Sequence, residues 1–218
     1  MTIRNIWYQI KLGISGLLGE SAIGFMMIVG NLIFIRYLGE EGIAAFSVAC
    51  YCFPIIFMLN AAISQSAQPM ISFNHGVNNR RRVYDSSKLA LVTAVFSGLA
   101  ISTIMILEAS LIIGLFLNSN TGPFEIAIHG IPLFAIAYPF FAFNVVAIGN
   151  YQSVERGNRA TVYTILRGFI FMPFFFILLP RLFGTSGIWL TVPCAEILTT
   201  LVIIYFYYKK KTTVTHPN

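Results

Sequence analysis

Long apolar runs, separated only by short polar clusters, occupy nearly the whole chain. They fall at roughly residues 13–37, 43–73, 87–112, 126–149, 161–179 and 186–208. A hydrocarbon layer about 30 Å thick is crossed by about 20 apolar residues of helix. Inside lipid every backbone polar group must be paired within the structure, which helices do by themselves. A lipid-spanning barrel would instead show segments of about ten residues with alternating polarity. The pattern predicts an all-α, polytopic membrane protein with six transmembrane helices in one bundle. Its expected parts are a lead-in segment (1–12), a six-helix lobe (13–208) and a basic cytoplasmic tail (209–218).

Composition agrees. The chain is 57% hydrophobic and 10% charged, whereas soluble domains carry about 25% charged residues. Where the charge lies matters more than its total of +6. Arg4, Lys11, Arg80, Arg81, Arg82, Lys88, Arg156, Arg159, Lys209, Lys210 and Lys211 cluster on one side of a six-span topology. Arg36 and Arg181 fall on the other side. Basic residues in short loops mark the cytoplasmic face, so both termini are expected in the cytoplasm of a cell-membrane (inner-membrane) protein. The Arg80–Arg82 run then reads as a topology signal. Nucleic-acid binding would need a basic face on a folded domain, and a loop between two spans offers none. Residues 1–12 lack a signal peptide's short apolar core and cleavage site. With Trp7 and Tyr8, they suit an interfacial helix or the remnant of a connector. Cys50, Cys52 and Cys194 lie in spans without metal-ligand spacing and read as small, reduced core residues.

The chemistry sits in polar residues within the spans. A charge at a helix centre costs about 2.5–3.5 kcal/mol on insertion scales. Glu20 and Glu196 take that penalty far from the span ends, while Glu108 and Glu125 lie near the outer surface. Gly16, Glu20, Gly24, Met27 and Asn31 share one helical face. Small residues on it would admit a close neighbour and turn the carboxylate into the bundle. Asn60, Ser64 and Gln68 share a second face with Gln65 beside it; Tyr138 and Asn144 mark the fourth span; Trp189, Pro193, Glu196 and Thr200 mark the sixth. Glu20 and Glu196 are the candidates for ion coupling. Asn31, Gln65, Gln68, Tyr138 and Asn144 are the candidates to line a substrate cavity. Amides of this kind also serve simply as interhelical hydrogen bonds. Arg167, within the fifth span, could snorkel to the headgroups or pair with an acid. Pro54, Pro69, Pro132, Pro139, Pro173 and Pro193 lie inside spans, where proline kinks a helix. Such kinks suit a bundle built around a cavity, although proline is commoner in membrane helices generally. No nucleophile triad, phosphate-binding loop or paired His site is present. An enzyme is not expected, nor a bound cofactor, and any transport is expected to be passive or driven by an ion gradient.

Several stretches resemble the multidrug and toxin extrusion (MATE) family of ion-coupled exporters. Residues 62–76 contain Gln65-x-x-Gln68-Pro69-x-x-Ser72-x-Asn74-x-Gly76, similar to that family's signature, followed by a matching basic loop. Residues 151–160, Leu166-Arg167-Gly168, 184–189 and Pro193-Cys194-Ala195-Glu196 continue the resemblance in order, and residues 13–21 resemble the start of the family's seventh helix. The resemblance implies the second of two six-helix lobes facing a cleft. It implies an antiporter lobe, coupled to H+ or Na+, that exports organic cations or drugs by alternating access. Glu20 would be the counterpart of an acid on helix seven. The fourth span departs from the family's pattern, with Tyr138 and Asn144 where an acid on helix ten is expected. Implied partners are the lipid bilayer, a small organic cation, and a first lobe supplied as a separate chain or by self-association. Two other readings are a flippase for lipid-linked oligosaccharides and a non-transporting membrane assembly partner. A flippase would call for a cavity rich in Arg and Lys, and the mid-membrane residues here are acids and amides.

Overall fold

The computed structural model describes residues 3–214, and among them every element is helical. Helix α1 spans Ile3–Gly76, α2 Arg80–Leu107, α3 Ala109–Gly114, α4 Gly122–Ala135 and α5 Ala137–Ser153. Helix α6 spans Gly157–Ile165, a π-helical stretch covers Leu166–Phe171, and α7 spans Met172–Val214. Two of these rods are really pairs. Gly39 interrupts α1 with φ 66° and ψ −157°, and Gly184 interrupts α7 with φ 59° and ψ −135°. Without a Cβ, glycine enters this region at no steric cost. The chain reverses at Gly39, because Phe34 before it stacks on Phe46 after it at 4.3 Å. Helices α4 and α5 form one span bent by 44°. The six spans are therefore the two arms of α1, then α2, the α4–α5 pair, α6 with the first arm of α7, and the second arm of α7.

The connectors are shorter than the sequence suggests. The expected inner loop 74–86 shrinks to Val77–Asn79, since α1 runs to Gly76 and α2 starts at Arg80. Asn79 caps α2 by accepting the Arg82 backbone N–H at 3.2 Å, satisfying one of the helix's orphan donors. Arg80–Arg82 thus form a helical first turn. Likewise α5 continues to Ser153 and α6 begins at Gly157. The described part of the lead-in, from Ile3, is continuous with α1. Met1, Thr2 and tail residues 215–218 lie outside the described residues.

Not every proline breaks its helix. No backbone break accompanies Pro54 or Pro69; the only non-helical residue inside α1 is Gly39. Pro139 does mark a bend. Having no N–H, it cannot bond the carbonyl four residues earlier, that of Ala135. Ser102 of α2 takes over, donating its hydroxyl to Ala135 O at 2.8 Å. Helix α2 can come this close because a Cβ on Gly98 would meet Pro139 Cα at 2.7 Å. The π-helical turn Leu166–Phe171 ends just before Pro173, where another backbone donor is missing.

The core is aromatic. Trp189 packs edge-on to Phe34 and Phe134, and Phe53 contacts Phe134 and Phe141. Leu89, Phe96, Leu107 and Leu201 point outward, each more than half exposed. Such a surface suits lipid, not water. Because lipid tails are as apolar as these side chains, association in the bilayer rests on close packing and polar contacts.

One polar cluster is buried in the interior. Arg167 Nε donates to Glu196 Oε1 at 2.8 Å. Asn144 Nδ2 donates to Glu196 Oε2 at 2.7 Å and to the Glu196 carbonyl at 2.9 Å. Thr200 Oγ1 donates to Asn144 Oδ1 at 3.0 Å. The guanidinium also lies 4.6 Å from the Phe141 ring centre. Arg167 therefore pairs with an acid and does not snorkel. Removing one partner of such a pair leaves an uncompensated buried charge, at a cost of about 3–5 kcal/mol. Glu196→Leu and Arg167→Met are each expected to lower the thermal midpoint of the detergent-solubilised protein substantially. The double variant is expected to recover most of the loss. Additive losses, read by fluorescence-detected size exclusion after heating, would show that the two groups do not stabilise each other.

Candidate functional site

A cavity of about 170 Å³ opens between the two arms of α1, α5 and the α6–π segment. The first arm contributes Ser15, Gly16, Gly19 and Glu20, and the second contributes Ser64, Gln65 and Gln68. Gln152, Thr164 and Arg167 close the far side. The helical repeat explains the grouping. Gly16 lies one turn from Gly19 and Glu20, and Gln68 one turn from Ser64 and Gln65, and the reversal at Gly39 brings the two arms together. Gln152 Nε2 donates to Ser15 Oγ at 2.6 Å, tying the end of α5 to the start of α1.

Glu20 lies about 10 Å along the helix from Gly13, at 1.5 Å per residue. It is exposed on the lobe surface, as are Gln65 and Asn31, while Gln68 is half-buried. The face carrying Gly16, Glu20 and Gly24 was expected to be covered by another helix. It is open instead: among the described residues nothing lies within 4 Å of a Cβ built on Gly16 or Gly24. The opposite side of this arm, Ala22, Ile23, Met26 and Phe34, is the one buried in the core. The apolar residues win the interior because they can pack there without hydrogen-bond partners. The carboxylate turns outward because no donor inside the lobe meets it.

Of the sequence-predicted residues, the structure brings Glu20, Gln65 and Gln68 to one cavity. Glu196, Asn144 and Tyr138 are fully buried and do not line it. Glu196 and Asn144 are consumed by the internal cluster. The Tyr138 hydroxyl has no hydrogen-bond partner among the described residues. Asn31 lies about three turns beyond Glu20, outside the cavity. Asn60 donates to the Ile56 carbonyl at 2.8 Å and accepts from Ser97 at 3.4 Å, which makes it an internal hydrogen-bonding residue. Sequence reasoning did not place Ser15, Gln152, Thr164 or Arg167 at the site. Arg167 connects the two polar regions. Its Nε is held by Glu196, and the side chain borders the cavity with no partner for its Nη groups among the described residues. No cluster of three metal-ligating side chains occurs among the described residues.

Comparison with known proteins places this geometry. The model of the MatE family matches residues 18–177. The chain is 24% identical over 189 residues to the multidrug export protein MepA of Staphylococcus haemolyticus, covering 85% of this chain and 40% of that protein. MepA of Staphylococcus aureus is also 24% identical, over 194 residues and 42% of its length. Among solved structures, a MOP superfamily transporter from Pyrococcus furiosus superposes with a TM-score of 0.86 at 16% identity, over 100% of this chain and 49% of that one. A MATE structure in complex with MaL6 gives 0.84 at 17% identity, over 99% of this chain and 49% of that one. At such identities the structural likeness speaks for the fold. The chain spans about half the length of the relatives it matches. It belongs to the MatE family, a family of membrane transporters, and has the fold of one six-helix lobe.

Proposed function

We propose that this chain is the second lobe of an ion-coupled antiporter that exports organic cations or drugs by alternating access. One observation carries the reading: an exposed acidic side chain, Glu20, shares one open cavity at membrane depth with the exposed Gln65 and the half-buried Gln68. A carboxylate facing hydrocarbon costs several kcal/mol, so this face must meet water, a passenger or a complementary lobe. Glu20 is assigned to ion coupling, neutralising a cation or exchanging a proton, with H+ and Na+ both compatible. Gln65 and Gln68 line the passage, with Asn31 further along the same face. Glu196, Asn144 and Tyr138 support the lobe from within. The open face also suits pairing, with a separate first-lobe chain or a second copy. The names of the MepA relatives, multidrug export proteins, favour drugs over lipid-linked oligosaccharides. So does the cavity's single arginine, whose charge is offset by Glu196.

Glu20→Gln is expected to abolish gradient-driven efflux of a lipophilic cation such as ethidium, while membrane insertion stays normal. The measurement compares cells expressing this chain, alone and with a first-lobe polypeptide, against the variant. Wild-type flux by the variant would remove Glu20 from the mechanism. A half-size particle without flux in either setting would favour the assembly-partner reading.

We further propose that both termini lie in the cytoplasm, a reading supported by the basic-residue distribution. A green fluorescent protein fused after Asn218 is expected to fluoresce in a bacterial host, and alkaline phosphatase at the same point to be inactive. Active phosphatase would invert the topology.

A further inference from the structure

A second and larger cavity, about 450 Å³, lies on another face of the lobe. Helices α2 and α7 both pack against α5, and the groove runs between them over α5. Its walls are apolar: Leu91 and Val92 from α2, Phe143 and Ala147 from α5, Ile203 and Ile204 from α7. Its mouth is of different chemistry. Lys88 and Arg156 border it with Tyr84, Tyr151, Tyr207 and Tyr208. Lys88 lies near the start of α2, Arg156 just beyond the end of α5, and Tyr207 and Tyr208 near the end of α7. The mouth therefore lies toward the span ends on the side of Arg80–Arg82, with Lys88 about 9–12 Å further along α2 at 1.5 Å per residue. Both cations are exposed, and neither side chain has an ion pair or hydrogen bond among the described residues. The neighbouring acids do not compensate them. Asp85 lies 3.9 Å from Arg81, and neither Asp85 nor Glu155 lines the groove.

We infer that this groove is a binding site for an anionic phospholipid, with the phosphate between Lys88 and Arg156 and an acyl chain along Leu91, Phe143 and Ile203. The match is in the division of chemistry. A cationic, tyrosine-rimmed mouth at headgroup depth leads into an apolar channel between spans, and an anionic amphiphile satisfies both ends. Basic pockets between membrane helices bind acidic headgroups in this way, and tyrosine settles at the same depth. A zwitterionic lipid would gain the channel and little of the charge attraction. The groove shares no lining residue with the cavity that holds Glu20, and the inference does not depend on the transport reading.

Native mass spectrometry of the full chain, released from micelles holding equal dioleoyl-phosphatidylglycerol and dioleoyl-phosphatidylcholine, tests this. Wild type is expected to retain phosphatidylglycerol preferentially. The Lys88→Ala/Arg156→Ala variant is expected to weaken that retention about thirty-fold, since each basic residue near the headgroups contributes about a factor of five. Arg80→Ala/Arg82→Ala removes equal charge outside the groove and is expected to weaken the preference far less than the groove variant does. Val92→Trp, which fills the channel and leaves the charges alone, is expected to reduce it; this arm holds even if the double variant does not fold. Equal retention of the two lipids by wild type, or equal loss in both charge variants, would overturn the assignment.

Discussion

An arginine and a glutamate, both withdrawn from water, tie the last two spans of this lobe to the fourth. In hydrocarbon, apolar side chains gain little by leaving lipid for one another. Directional contacts must therefore choose among many similar packings. The Arg167–Glu196 pair is such a contact, with Asn144 satisfying the second carboxylate oxygen and Thr200 satisfying Asn144. Ser102 on the Ala135 carbonyl does the same on a smaller scale, making the bend before Pro139 a specific junction between α2 and the fourth span.

The cluster also explains how the lobe handles its charges. Glu196 is fully buried and shared between Arg167 and Asn144, whereas Glu20 has no such company and stands at the surface. Two acids of equal apparent rank in the sequence thus divide into an internal brace and an exposed group. Arg167 touches both regions: it borders the cavity and braces the fifth and sixth spans through Glu196.

The two faces of the lobe have different audiences. The α1 face offers glycines, a carboxylate and amides, a surface unsuited to hydrocarbon. The face between α2 and α7 offers an apolar channel with a basic mouth, suited to the bilayer's own molecules. The remaining surface, with Phe96, Leu107 and Leu201 outward, is unspecific and greasy.

Hydrophobic run lengths by themselves determined that this is a helical membrane protein of six spans, because a fixed bilayer thickness translates directly into a residue count. The signature around Gln65 and Gln68 likewise carried the family. Turn positions were partly legible: Gly39 was placed in a connector, but the helices run further than polarity suggested, since a terminal turn of polar residues is still helical. Only the tertiary structure decided which in-span polar groups meet each other. Asn144 and Glu196 are 52 positions apart and Arg167 and Glu196 are 29 apart, distances over which periodicity on one helix says nothing. Spacing places a residue on a face of its own helix. Whether that face meets a donor, a cavity or open surface depends on how the other helices cross it.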